Sequence, residues 1–217
     1  MHLYLDTADR AAAEPLLATG LFTGVTTNPT ILQRASLGIS DIADIYRWAV
    51  SAGARELFFQ AWGEDTATLV QRGQQLRELG SEVVVKLVAS RAGSAACAEL
   101  AARGIPTLLT AVYAPAQAVV AAAAGATYIA PYLGKLQDAG RDAMADVITM
   151  HEILLATGSQ TKVLLASLRD VPAIVAFARH GVEHFTMGPA VADQLFADKL
   201  TIEAVRTFEN AVLGGTE

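Results

Sequence analysis

The chain has 217 residues, 53% of them hydrophobic, and carries 16 Lys and Arg against 22 Asp and Glu, a formal net charge of −6. That length and apolar content suffice for a sizeable buried core. An acidic balance with no Lys/Arg cluster excludes nucleic-acid binding as the main role, because that affinity rests on neutralising phosphates.

From the N-terminus, short aliphatic or β-branched runs alternate with longer Ala/Leu/Glu/Arg segments. The runs predict strands over 3–6, 24–27, 57–61, 83–87, 107–110, 128–131, 163–166 and 184–187. Between them, 66–79, 94–103 and 144–156 carry apolar residues at helical spacing. Eight strand–helix units with no linker or composition shift predict an α/β chain: a single (β/α)8 barrel domain over 1–217. A doubly wound open sheet is the alternative, but no Gly-x-Gly-x-x-Gly follows a strand. Residues 104–134 include no charged side chain, yet three prolines and many alanines mark them as a buried βαβ unit rather than a membrane span. The last segment, 201–213, places Ile202, Val205, Phe208 and Val212 on one helical stripe. Such a helix either plugs its own barrel or packs on another subunit.

Cys97 is the sole cysteine, so no internal disulfide can form, and the chain opens on a strand-like run rather than a basic leader. Both features point to a reducing cytoplasm.

In a (β/α)8 barrel the chemistry sits where strands end, so the polar residue closing each run is informative. Those residues are Asp6, Asn28, Gln60, Lys86, Thr110, Tyr132 and Ser167, spaced 22 to 35 residues apart, about one unit each. On a barrel all seven face one mouth. Lys86 follows three valines and precedes Leu87-Val88. A lysine at a strand end commonly snorkels to solvent, but burial depresses its pKa and makes it a nucleophile able to form an imine with a carbonyl. Asp6 or Thr7 could equally cap the next helix, and Asn28 before Pro29 fits a plain strand-to-helix turn as well as a substrate contact. His180 and His184 have the i,i+4 spacing of a zinc pair, but Gly181 breaks the helix between them and no third ligand is apparent. No metal site is expected.

Taken together, Leu3-Tyr4-Leu5-Asp6-Thr7, Gly24-Val25-Thr26-Thr27-Asn28-Pro29-Thr30-Ile31, Val83-Val84-Val85-Lys86, Gly104-Ile105-Pro106-Thr107-Leu108, Thr110-Ala111-Val112-Tyr113, Ala130-Pro131-Tyr132 and Lys162 to Ser167 resemble the small transaldolase family. The resemblance is closest to its fructose-6-phosphate aldolase branch and runs from Leu3 to about Phe208. It implies a class I, Schiff-base aldolase that needs no cofactor and no metal. It makes Lys86 the imine-forming lysine, with Asp6 and Asn28 orienting substrate hydroxyls and assisting proton transfers. Gln60, Thr110 and Tyr132 match the positions that hold a catalytic water in the aldolase branch, where transaldolases typically carry glutamate and phenylalanine at the Gln60 and Tyr132 positions. Thr26 and Ser167 fall within the same motifs as substrate contacts.

The family's usual Lys-Val-Pro-Val-Thr is here Lys86-Leu87-Val88-Ala89-Ser90, and its Asn-Arg is here Gly134-Lys135. In the family that arginine grips the substrate phosphate with the serine matching Ser167. Lys135 keeps the charge without the two-point fork, and Arg169 and Arg91 are candidates to compensate. The resemblance thus implies cleavage and addition between a dihydroxyacetone-type donor and an aldehyde such as glyceraldehyde 3-phosphate. A transaldolase and a barrel that binds sugar phosphate without turnover are the alternatives. It also implies a homo-oligomer, a pentamer or decamer, built through the C-terminal helix.

Overall fold

The computed structural model describes residues 1–214; residues 215–217 of the expected domain lie outside the described residues. In chain order the elements are β1 (His2–Asp6), α1 (Arg10–Leu17), β2 (Phe22–Thr26), α2 (Pro29–Arg34), α3 (Ile42–Ser51), β3 (Glu56–Gln60), α4 (Thr66–Arg77), β4 (Val83–Val88), α5 (Arg91–Ala102) and β5 (Thr107–Val112). They continue with α6 (Ala116–Ala123), β6 (Tyr128–Pro131), α7 (Leu133–Asp138), α8 (Ala143–Ala156), β7 (Lys162–Leu168), α9 (Val171–Ala178), β8 (His184–Met187), α10 (Pro189–Gln194) and α11 (Lys199–Val212). The eight strands pair in sequence order, all parallel, and β8 closes on β1. This is the (β/α)8 barrel expected, with the charge-free stretch folded as β5–α6–β6. Among the described residues no helix is long and apolar enough to cross a membrane.

The period-2 pleat divides each strand between two environments. Outward residues such as Leu5, Val25, Leu57, Phe59, Val85 and Leu109 form one apolar layer under the helices. Inward residues Tyr4, Phe58, Val84, Leu108, Tyr128, Ala130 and Leu164 fill the barrel itself. At its N-terminal floor the Tyr4 hydroxyl donates to Glu56 Oε2 at 2.6 Å and Tyr128 donates to Glu56 Oε1 at 3.0 Å. The Glu56 carboxylate therefore has partners, and the buried rings of Tyr4, Phe58 and Tyr128 pack edge-on within the barrel beside it. β2 lies so close to β3 that a Cβ on Gly24 would fall 1.8 Å from the Glu56 carbonyl oxygen; only glycine fits there.

Helix starts follow side-chain caps rather than the onset of the apolar stripe. Ser90 accepts from the Gly93 amide, so α5 begins at Arg91 rather than 94. Asp9 accepts from the Ala12 amide and caps α1. Neither Asp6 nor Thr7 takes that role, and Asp6 stays free for the barrel mouth.

Candidate active site

A cavity of about 490 Å³ opens at the C-terminal ends of the strands, and all seven strand-end residues line it: Asp6, Asn28, Gln60, Lys86, Thr110, Tyr132 and Ser167. Thr26 and Lys135 line it too. The convergence follows from closure. Inward residues one pleat above the apolar filling (Asp6 above Tyr4, Gln60 above Phe58, Lys86 above Val84, Thr110 above Leu108) form the topmost layer of the barrel interior.

Lys86 is 4% exposed, and its Nζ donates to the Thr27 carbonyl oxygen at 2.6 Å. Burial pulls its pKa down to about 8, partly opposed by the Asp6 carboxylate. Burial likewise pushes the Asp6 carboxyl up, while Lys86, the Thr26 hydroxyl and Arg34 favour its ionised form. Asp6 Oδ1 accepts from Thr26 at 2.6 Å, and Thr26 shares a second hydroxyl contact of 2.6 Å with Thr186. The pair thus sets an amine whose pKa burial draws down beside an acid whose pKa burial pushes up.

At the ends of β5 and β6, beside β4, the Tyr132 hydroxyl and Thr110 Oγ1 lie 2.6 Å apart, and the Tyr113 ring meets the Tyr132 ring edge-on at 5.9 Å. Burial raises the Tyr132 pKa, which keeps its proton on oxygen at neutral pH. Asn28 serves two ends at once. Its Oδ1 accepts from the Ile31 amide and caps α2 at 2.9 Å, which leaves the amide NH2 as a donor for the cavity.

Two backbone features of the site had no sequence signal. Ala111 (φ 57°) and Ser167 (φ 59°) adopt left-handed backbone, where the β5–β6 and β7–β8 registers shift. Bulges of this kind re-aim side chains at barrel rims, and a non-glycine residue in this region costs about 1–3 kcal/mol. Thr186 was missed because it sits inside an apolar strand, and only its inward parity could have flagged it. Arg34, at the end of α2, also lines the cavity.

Arg169 lies beside Ser167 and Gly134 at the edge of the site rather than in the cavity lining itself. Its guanidinium is held by Asp138 Oδ2 at 2.7 Å and is largely exposed. Its side chain crosses Gly134, where an added Cβ would lie 2.8 Å from Arg169 Nε and 2.9 Å from Ser167 Oγ. α7 therefore presents both the glycine that makes room for Arg169 and the aspartate that captures it. Arg91 opens α5 beside a separate surface cavity with Ser94 and Gln117. Of the zinc-spaced histidines, His184 is buried in β8 and stacks on His2 at 4.4 Å between centroids.

A closed parallel barrel whose polar side chains gather at the C-terminal ends of its strands defines an enzyme of the TIM-barrel class. The chain belongs to the transaldolase/fructose-6-phosphate aldolase family, whose pattern it matches over residues 3–214. It is 35% identical over 212 residues to a probable transaldolase of Coprothermobacter proteolyticus, covering 96% of this chain and 94% of that protein. It is 34% identical over 212 residues to a probable transaldolase of Caulobacter vibrioides, with the same coverage of 96% and 94%. Among solved structures, a putative phosphonomutase from Burkholderia cenocepacia superposes with a TM-score of 0.61 at 15% identity, covering 98% of this chain and 93% of that one. At that identity the likeness concerns the fold alone. Family membership makes the protein an enzyme with aldolase-type chemistry on the carbon–carbon bonds of sugar phosphates.

Proposed function

We propose that the protein is a class I aldolase of the fructose-6-phosphate aldolase type, working through an imine on Lys86. The observation that carries this reading is a lysine buried inside the barrel mouth, with its pKa drawn down to about 8 and a carboxylate beside it. The neutral Nζ attacks the ketose carbonyl, and loss of water gives the imine. Asp6, with Asn28 orienting the hydroxyls, takes the proton from the hydroxyl on the carbon that leaves as aldehyde. The bonding pair of the broken C–C bond then passes into the imine as an enamine. A water held by Gln60, Thr110 and Tyr132 protonates the enamine carbon, and hydrolysis of the regenerated imine releases a dihydroxyacetone-type ketone. Lys135 and Ser167, on the far side of the same cavity, fit the phosphate of an acceptor such as glyceraldehyde 3-phosphate. A cytoplasmic setting suits the buried free thiol of Cys97.

Borohydride reduction with fructose 6-phosphate, followed by mass mapping, tests the reading. One adduct on Lys86 is the expected result, and an adduct on any other lysine overturns it. The names of the relatives favour a second reading, transfer of the enamine to a sugar phosphate acceptor. A coupled assay separates the two: release of free glyceraldehyde 3-phosphate in the absence of erythrose 4-phosphate supports the aldolase, and turnover only in its presence supports the transaldolase.

Only neutral Lys86 attacks the carbonyl, so the rate of trapping is expected to rise about tenfold per pH unit up to about pH 8 and then level off. Asp6→Asn removes the charge that holds the ammonium form in place and moves the plateau to lower pH. A trapping rate flat between pH 6 and 9 contradicts this assignment.

The same reading includes assembly with further copies through α11. No residue of that helix is buried within its own chain, so it does not plug its own barrel. Leu200, Val205, Phe208 and Val212 stand 54–82% exposed on it, an apolar face whose natural cover is another subunit. Light scattering is expected to give a multiple of the 22.8 kDa chain mass, and Phe208→Glu with Val205→Glu to reduce it. A wild-type monomer rejects the assembly.

A further inference from the structure

We propose that Thr186 is a positioning residue for the proton transfer at Asp6: acting through Thr26, it reserves Asp6 Oδ1 as an acceptor and leaves Oδ2 to receive the substrate's proton. The inference rests on the reading of Asp6 as proton acceptor beside a Lys86 imine, and it names what holds that carboxyl in place. In the barrel β1 lies between β8 and β2, with Tyr4 opposite Thr186 and Asp6 opposite Thr26. The hydroxyls of Thr26 and Thr186 meet across β1 at 2.6 Å, and both residues are 2% exposed. Thr186 follows Phe185 and precedes Met187, a strand setting in which valine would have the same shape. A hydroxyl buried there costs desolvation unless it is bonded, and Thr26 is its partner.

Counting protons fixes the direction of this chain. A threonine hydroxyl has one proton to donate and two lone pairs. Thr26 donates its proton to Asp6 Oδ1 at 2.6 Å, so toward Thr186 it can only accept, and Thr186 is the donor. The order runs from Thr186 to Thr26 to Asp6, each donation strengthening the next. Among the described residues Oδ2 has no hydrogen-bond partner, and no fully buried side-chain oxygen is left without one, so Oδ2 faces the open cavity that Asp6, Thr26 and Thr186 line. A carboxyl free to rotate would present either oxygen; the two hydroxyls remove that freedom. In cleavage Oδ2 takes the proton of the hydroxyl on the departing carbon, the O–H pair becomes the second bond of the aldehyde, and the C–C pair enters the imine as the enamine. Oδ2 then returns the proton to water as the products leave.

The acidic limb of the kcat profile for cleavage of fructose 6-phosphate tests this, because at saturating ketose Lys86 is held as the imine and the limb reports Asp6. T26V deletes the donor to Oδ1 and is expected to move the limb up by about one pH unit. T186V is expected to move it the same way by about a third as much and to lower kcat about tenfold above the limb. T186S keeps the hydroxyl and is expected to restore the limb, while T186V in the T26V background adds no further shift. An unshifted limb in T186V overturns the proposal, as does a shift that T186S fails to reverse or that persists in the T26V background, since Thr186 would then act by packing. Should T186V not fold, T186A removes the same hydroxyl without a methyl against Thr26 and carries the same expectations; if neither folds where T186S does, the hydroxyl serves the fold and the proposal falls. A limb that survives in D6N, or a wild type that forms no borohydride adduct on Lys86, removes the underlying chemistry instead.

Discussion

Lys86→Met is expected to abolish borohydride trapping and to lower kcat by more than about 10⁴-fold, which corresponds to at least about 5.5 kcal/mol of lost transition-state stabilisation. Among the described residues no other lysine lies at the floor of the mouth: Lys135 stands at its exposed rim, while Lys86 is 4% exposed on β4. The replacement matches the length and apolar surroundings of the site, so the barrel folds, and loss of the Lys86 charge pushes the Asp6 pKa further up. Circular dichroism separates a folded inactive protein from an unfolded one. A folded Lys86→Met protein with more than a hundredth of wild-type turnover contradicts covalent catalysis at this position.

Tyr132→Phe separates bond cleavage from imine formation. Its hydroxyl, 2.6 Å from Thr110 Oγ1, is the acidic end of the relay proposed to protonate the enamine. Removing one positioned proton donor costs about 10²–10⁴-fold, so aldol cleavage is expected to fall by that factor. Trapping at Lys86 persists, because the nucleophile and its Asp6 partner are unchanged. An enamine that is no longer protonated survives longer, so transfer to erythrose 4-phosphate is expected to fall less than cleavage, or to rise. Equal losses in cleavage, transfer and trapping identify Tyr132 as a packing residue rather than a proton carrier.

The alternation of apolar runs and amphipathic segments was enough to locate eight strands and the barrel, because a strand buried on both faces and a helix covering it need different apolar periods. The mouth residues were legible for a related reason. A parallel barrel fills its interior with apolar layers, so a polar residue that closes each run stands out against them, as Lys86 does after three valines. Capping was less legible. Asp6, Thr7 and Asp9 are all chemically able to cap α1, and only the path of the backbone selects Asp9.

By itself the sequence determined the architecture, the convergent strand-end set and the family, because each depends on residue type at a spacing the backbone enforces. The tertiary structure alone decided which charges enter the mouth. Arg169 pairs with Asp138 and crosses Gly134 beside Ser167, while Arg34, which nothing in the chain singled out, lines the cavity from the end of α2. The left-handed turns at Ala111 and Ser167, and the choice of α11 to leave its apolar face uncovered, were likewise invisible. Side-chain direction, ion pairing and bulge geometry depend on neighbours far apart in sequence, and those neighbours are set only when the barrel closes.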